Sequence, residues 1–367
     1  MLASLAALMA AGAASQAQHT FTTWDCPPAQ GIGTCVQGIE GTNVVGYLWD
    51  TNLAVHGFLY NGSTWTRLDD PLAGPGNTQG TWAHGISGGN IVGEYVDTNG
   101  GNYGFLYNGS TWTRLNDPLA DPSAAAGGFQ GTAALAVDGT NIVGTYVDST
   151  GKVHAFLYNG TAYTTLDPPW AGSGAGFGWS GAFGISGTNI VGGAASAGGS
   201  DIGFLYNGST YTKYSDPLGV RGTDLHAISG AAMAGTYVDA SGNDHGFVCV
   251  IGAPPPYPIL DDPLAGAAGT YPDGISGNTI SGSYYDRSGH IHGFLATPTK
   301  LPLTVTRSGT SLTVSWPYPS MGWSLQQSPD LSTTNWTSIG GVSTDGTNNF
   351  ITPILTPGNA FFRLNHQ

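Results

Sequence analysis

The chain has 367 residues, 40 % hydrophobic and 11 % aromatic, enough apolar material for packed cores in two domains, which excludes disorder over most of its length. Only 9 % of residues are charged and the net charge is -14, so phosphate backbones and anionic membrane surfaces are repelled, and nucleic acid is excluded as a partner. Glycine (59) and proline (22) are frequent but interleave with aromatic and β-branched runs, which predicts many short strands joined by tight turns.

In chain order, Leu2 to Ala14 is an apolar run too short to span a bilayer. Ser15-Gln16-Ala17 follows it as a small-x-small cleavage pattern, so residues 1–17 are expected to be a signal peptide and the protein to be secreted, with no membrane span. Cys26, Cys35 and Cys249 make an odd count. Cys26 and Cys35 are close enough to close one loop in an oxidising compartment, whereas Cys249 alternates like a buried strand residue.

Residues 18–297 repeat one phrase six times. Its Gly/Ala-Phe pair ends at Phe58, Phe105, Phe156, Phe204, Phe247 and Phe294, at separations of 47, 51, 48, 43 and 47 residues, the period of a four-stranded blade. In the second copy the strands read from Ala83, Ile91, Tyr103 and Thr111, with Asn108-Gly109 expected to form a two-residue hairpin between the last two. The sixth copy lacks its fourth strand, but Phe21-Thr22-Thr23-Trp24-Asp25 matches Tyr163-Thr164-Thr165-Leu166-Asp167. The expected fold is therefore all-β: a six-bladed β-propeller closed by the N-terminal strand, which pairs two edges otherwise open to aggregation.

These units resemble the bacterial extracellular HAF repeat family, most clearly in Val143-Gly144-Thr145-Tyr146-Val147-Asp148 followed by His154-Ala155-Phe156-Leu157. The resemblance covers about residues 19–297 and is weakest in the fourth unit, where Ala194 and Ser196 replace the Tyr and Asp. It implies secretion and a repeat fold and assigns no activity. Residues 298–367 change pattern, with Leu312-Thr313-Val314-Ser315-Trp316 and Phe361-Phe362-Arg363-Leu364 as strand-like runs. They resemble fibronectin-III-like modules of secreted bacterial proteins, which implies a small C-terminal β-sandwich.

Gly85-Ile86-Ser87-Gly88-Gly89 fits the pattern of a nucleophile elbow, but no helix follows, and Glu40, Asp138, Ser186, Ser229 and Ser276 at the same place suit a turn. Asp and His recur six apart at Asp50/His56, Asp148/His154, Asp239/His245 and Asp286/His292. Where Ser196 replaces the Asp, Ile202 replaces the His, so cross-hairpin hydrogen bonds are expected rather than metal ligation. No cofactor, metal or catalytic residue is expected.

The blade-to-blade loops and first strands differ between units and carry aromatic, acidic and imidazole side chains. Trp82, His84, Trp170, Trp179, Arg221, Asp224, His226, Tyr271 and Asp273 are the expected ligand-binding residues around the channel mouth. The expected function is a non-catalytic binding protein for an extracellular glycan or polymer. Two alternatives stand beside it: a polysaccharide hydrolase or lyase using Asp224, His226 and Asp273, and a structural cell-surface protein.

Overall fold

The computed structural model describes residues 19–27, 32–122, 125–126, 129–172, 178–309, 311–317, 323–330, 335–345, 348–353 and 360–366, so the expected signal peptide lies outside the described residues. Among the described residues every regular element is a strand. Six antiparallel units follow one another. Unit one is Gly33–Glu40, Asn43–Trp49, Val55–Tyr60 and Trp65–Leu68, and unit two is Gly80–Ser87, Asn90–Val96, Asn102–Tyr107 and Trp112–Leu115. Unit three is Thr132–Asp138, Asn141–Val147, Val153–Tyr158 and Tyr163–Thr165. Unit four is Ser180–Ser186, Asn189–Ala195, Asp201–Tyr206 and Tyr211–Tyr214. Unit five has Gly222–Ser229, Ala232–Val238 and Asp244–Val250, with a single bridge from Phe247 to Ile259 in place of a fourth strand. Unit six has Ala265–Ser276, Thr279–Asp286 and Ile291–Pro298, and its fourth strand is the N-terminal His19–Thr23, paired in register from His19 with Pro298 to Thr23 with Phe294.

One residue in every first strand is skipped by the pairing register: Gln37, His84, Leu135, Phe183, His226 and Asp273. Such a bulge sharpens the local twist and re-aims a side chain. Facing it, the second strand carries a glycine in all six units, and the reason is steric. A Cβ at Gly144 would lie 1.9 Å from the carbonyl oxygen of Ala133, and one at Gly46, Gly93, Gly235 or Gly282 would lie 2.0 Å from the equivalent carbonyl. The Val-Gly step of the repeat is thus a requirement of backbone approach rather than of flexibility.

Each core is shared between neighbouring units. Phe105 of unit two packs with Val45 and Leu68 of unit one, Phe156 with Val92 and Leu115 of unit two, and Phe204 with Val143 and Leu166 of unit three. Val36 and Phe58 of unit one pack with Trp24 and Leu295, which belong to the N-terminal segment and unit six. The six repeat phenylalanines are at most 1 % exposed. Burying one such ring removes roughly 150 to 250 Å² from water, about 4 to 6 kcal/mol before entropy is counted, so units that share these rings cannot be stable alone.

Hydrogen bonds stitch successive units at two levels. The turn after the first strand lends its side chain to the next unit's turn, Glu40 accepting from Gly88 N (2.7 Å), Asp138 from Gly187 N (2.6 Å) and Ser186 from Gly230 N (3.0 Å). Ser276 of unit six accepts from Gly41 N of unit one (2.9 Å). Near the fourth strands, a buried Thr of the next unit accepts from Asp70 N, Asp117 N, Asp216 N and Asp262 N, and Thr34 accepts from Cys26 N. Ser87 therefore occupies a turn position, as its neighbours do.

The Asn-Gly hairpins are longer than expected. Residues 61–64 all lie between the paired Tyr60 and Trp65, and only Gly62 has positive φ (91°). Asn61 serves as an acceptor rather than a turn residue of positive φ, its Oδ1 taking Ser63 N and Thr64 N. Asn108, Asn159 and Asn207 repeat the arrangement. All three cysteines are buried and free, so Cys26 and Cys35 do not pair.

The expected Asp–His contact is present and is half of a larger clasp. His154 lies between Asp148 (Nε2 to Oδ2, 3.2 Å) and Asp167 (Nδ1 to Oδ2, 2.7 Å), with Tyr146 stacked on its ring. His56 sits between Asp50 and Asp69, His245 between Asp239 and Asp261, and His292 between Asp286 and Asp25. Both ring nitrogens are thereby occupied. The Asp167 hydrogen bond raises the His154 pKa against burial; for His245 and His292 burial opposes the shift, yet the paired carboxylates still raise it.

A histidine whose folded pKa exceeds its unfolded value of about 6.5 contributes stability that is complete below that value and is lost as pH rises through the folded pKa. The melting temperature should therefore fall between pH 6 and pH 9, and replacing His154, His245 and His292 together by alanine should flatten that fall. His154→Ala alone, which leaves two carboxylates facing each other, should cost about 1 to 3 kcal/mol in denaturant titration. Equal slopes in the wild type and the triple variant would show the clasps to be energetically silent.

After residue 298, Thr304–Ser308, Ser311–Pro317, Asn348–Ile351 and Ser343–Thr344 form one antiparallel sheet, and Thr337–Ser338, Trp323–Ser328 and Phe361–His366 form another. Val314, Trp316 and Leu325 are buried among Ile339, Ile351, Phe362 and Leu364, so the two sheets share a core.

Candidate functional site

The bulged residues meet across unit boundaries. Asp273 of unit six accepts from Gln37 Nε2 of unit one (3.3 Å), and Gln37 Oε1 lies 3.3 Å from His84 Nδ1 of unit two. His84 Nε2 continues to Glu94 (3.4 Å). In the other direction His226 Nδ1 is 3.7 Å from Asp273, and its ring stacks on Phe183 of unit four at 5.5 Å and 14°. Because one position in each first strand is re-aimed by the bulge, five units contribute to a single contiguous group.

A second layer lies two residues earlier on the same strands. Cys35, Trp82, Ala133, Gly181, Asp224 and Tyr271 pair with Tyr47, Glu94, Thr145, Gly193, Thr236 and Ser283 respectively. Unit four differs from the rest, because its pair is Gly181 with Gly193. The space is taken by rings and a carboxyl: a Cβ at Gly181 would lie 2.6 Å from the Phe183 ring, and one at Gly193 would meet Asp224 Oδ1 and lie 3.0 Å from Trp179. Trp179 and Phe183 are 6.1 Å apart, and Trp179 Nε1 donates to Asp201 Oδ1 (3.1 Å). Aromatic rings and a carboxyl are thus packed side by side over the Gly181–Gly193 pair.

Burial governs the electrostatics of the carboxyls here. Asp224 Oδ1 is shielded from solvent and has no hydrogen-bond partner among the described residues. Burial, and secondarily the charge of Asp201, pushes the Asp224 pKa up to about 8, and burial pushes Asp273 well above the usual carboxylate range. Burial lowers His226 to about 4, so it is neutral at pH 7, with Nε2 hydrogen-bonded to Thr236 (2.9 Å). The His226 and Asp273 side chains nevertheless remain 22 % and 16 % exposed, so solvent reaches the group.

Of the residues expected at a ligand site, Trp82, His84, Trp179, Asp224, His226, Tyr271 and Asp273 belong to these two layers. Two do not. Trp170 packs against Tyr211 on the outer strand of unit four, with Lys213 4.7 Å from its ring. The Arg221 guanidinium lies against the Gly242 turn of unit five. Gln37, Tyr47, Glu94, Phe183 and Asp201 complete the group and were not singled out by the sequence.

No family model and no curated protein matches the chain. Among solved structures, it is similar to a fungal lectin from Aleuria aurantia, described as a six-bladed β-propeller with a novel fucose recognition mode, at 13 % identity over 66 % of this chain and 77 % of that one, TM-score 0.39. AofleA from Arthrobotrys oligospora aligns at 10 % identity over 95 % of this chain and 92 % of its own, TM-score 0.41. TolB from Acinetobacter baumannii aligns at 13 % identity over 70 % and 63 %, TM-score 0.44. Identities and superpositions of this order assign the chain to none of those families.

A separate recess of ≈ 510 Å³ lies on unit six, lined by Asp25, Leu264, Tyr284, Asp286, Arg287 and His292 among others. Its carboxylates are already committed to His292, whereas the Asp224 carboxyl in the bulged group is not.

Proposed function

We propose that this chain is a secreted carbohydrate-binding protein of the HAF repeat type, whose six units close into a six-bladed β-propeller and whose ligand sits at the mouth of the central channel. The observation that carries the binding reading is this mixed group, in which the rings of Trp179 and Phe183 are clustered with the polar side chains of Gln37, His84, Glu94, Asp224 and Asp273. A sugar ring needs an aromatic face for its C–H surface and directional partners for its hydroxyls, and this arrangement supplies both. The stitches from unit six to unit one support the closed ring.

Retention on a panel of immobilised neutral, acidic and aminated polysaccharides tests the reading. Trp179→Ala should weaken the retained ligand by about 1 to 3 kcal/mol, the range for losing one stacking ring. Trp170→Ala, on an outer strand, should leave affinity unchanged. The reverse pattern places the ligand on the outer surface and overturns the proposed site.

A hydrolase reading is favoured by one observation, the burial of Asp224 beside the charge of Asp201, which holds Asp224 protonated near neutrality as a general acid requires. Release of reducing ends from a panel member, abolished in Asp224→Asn with binding intact, would replace the binding protein by an enzyme.

A further inference from the structure

We propose that the central site takes an aminated saccharide, with the Asp224 carboxyl receiving the ammonium group of an amino-sugar unit held against Trp179 and Phe183. This rests on the carbohydrate reading above and specifies its ligand.

Asp201, Asp224, Asp273 and Glu94 belong to one group, yet none of the nine lysines and arginines joins it. Arg67, Arg114 and Lys213 stand on fourth strands, Lys152 and Arg287 on second-to-third turns, and Arg221 against Gly242; the other three follow residue 298. His226 is neutral at pH 7 and bonded to Thr236. Elsewhere in this chain carboxylates are matched with care, each clasp histidine holding two.

Asp224 has no such match: its Oδ1, like Asp262 Oδ2 outside the central group, is buried with no hydrogen-bond partner among the described residues. Trp179 Nε1 is spent on Asp201, so it offers no donor to Asp224. At position 193 the other units carry Tyr47, Glu94, Thr145, Thr236 and Ser283, and any side chain there would collide with Asp224 Oδ1. A glycine that leaves a buried carboxyl oxygen with no partner raises the energy of the free protein, because an unpaired buried polar atom is costly. A cation arriving beside it removes that cost. An ammonium group satisfies this oxygen better than a hydroxyl does, since it brings donors and charge together, and aromatic faces attract it as well. Asp224 is protonated in the free protein at pH 7. If the ligand arrives as an ammonium ion, that proton leaves to water; if it arrives as the free amine, the proton moves to the amine nitrogen.

The test compares three soluble hexamers of the same β-linked backbone, hexaglucosamine, its N-acetylated form and cellohexaose, titrated calorimetrically into the full chain at 0.15 M salt. Hexaglucosamine should bind about tenfold or more tightly than the other two, a ratio set by the charged contact. Asp224→Asn should remove the preference, bringing hexaglucosamine to within about twofold of cellohexaose on the same variant, a difference of that size being under 0.5 kcal/mol. If Asp224→Asn does not fold by circular dichroism, Asp224→Ser, a smaller neutral side chain at the same position, is held to the same criterion. Three equal affinities overturn the ammonium proposal and leave carbohydrate binding standing. A preference that persists in both variants and is matched by hexalysine assigns it to the overall charge of the chain and also overturns the proposal. Absence of any saccharide binding, here and on the polysaccharide panel, removes the functional reading itself.

Discussion

Deleting residues 19–27 should lower the melting temperature by about 15 °C or more, or drive the protein into aggregates, since each lost core aromatic costs about 3 to 5 kcal/mol. The strand His19–Thr23 pairs five residues with unit six, and Phe21 packs 5.4 Å from the buried Phe294. The segment after it crosses into unit one, where Trp24 stacks on Trp65 at 4.5 Å and Cys26 N donates to Thr34. Asp25 meanwhile completes the His292 clasp. Nine residues thus hold two units at once. Adding a synthetic peptide of residues 19–27 to the truncated protein should restore much of the loss, because a missing edge strand can be supplied in trans. A truncated protein that melts like the full chain would refute the closure of unit six by its N-terminus.

Gly144→Ala should be nearly as damaging, although it adds a single methyl group. That carbon would lie 1.9 Å from the Ala133 carbonyl oxygen and 3.0 Å from the Phe156 ring, with backbone on one side and a fully buried ring on the other. Neither neighbour yields cheaply, so the cost should reach about 3 kcal/mol or more, the upper range of overpacking. Gly139→Ala is the control. It has open space around its Cβ but a φ of 60°, so it should cost only about 1 kcal/mol through its left-handed backbone. Denaturant midpoints for both variants decide the matter, and equal costs would mean that the first strand shifts to accept a side chain.

The repeat made much of this architecture legible before any coordinates. Six phenylalanines at a blade-like spacing and the match of Phe21-Asp25 to the outer strands located the strands and predicted the pairing of His19–Thr23 with unit six. The Asp–His spacing pointed to a structural bond. Its second carboxylate went unread because it arrives thirteen residues later in Asp69 and Asp167, outside any local motif. The signal was nevertheless there: where Tyr103 and Ile202 replace the histidine, Asn116 and Ser215 stand at the second carboxylate's position.

The candidate site was less legible because sequence order says little about distance from the centre. Trp170 and Trp179 lie nine residues apart in one connection, yet the first covers an outer strand and the second joins the bulged group. The bulges were invisible for a related reason, since a skipped residue in a short alternating run looks like an ordinary change of face. Asn108-Gly109 misled in the opposite way, offering a strong two-residue turn signal where four residues are used.

The pairing of His19 with Pro298 places the chain's entrance to the six units beside its exit. Any leader, anchor or C-terminal module would therefore join the six units at one and the same place, like two cords knotted at one eyelet. New ends could be opened at a distant outer hairpin such as residues 108–111 and the old ones joined by a short linker, giving a circular permutant that presents the same central group from the opposite side of its tether.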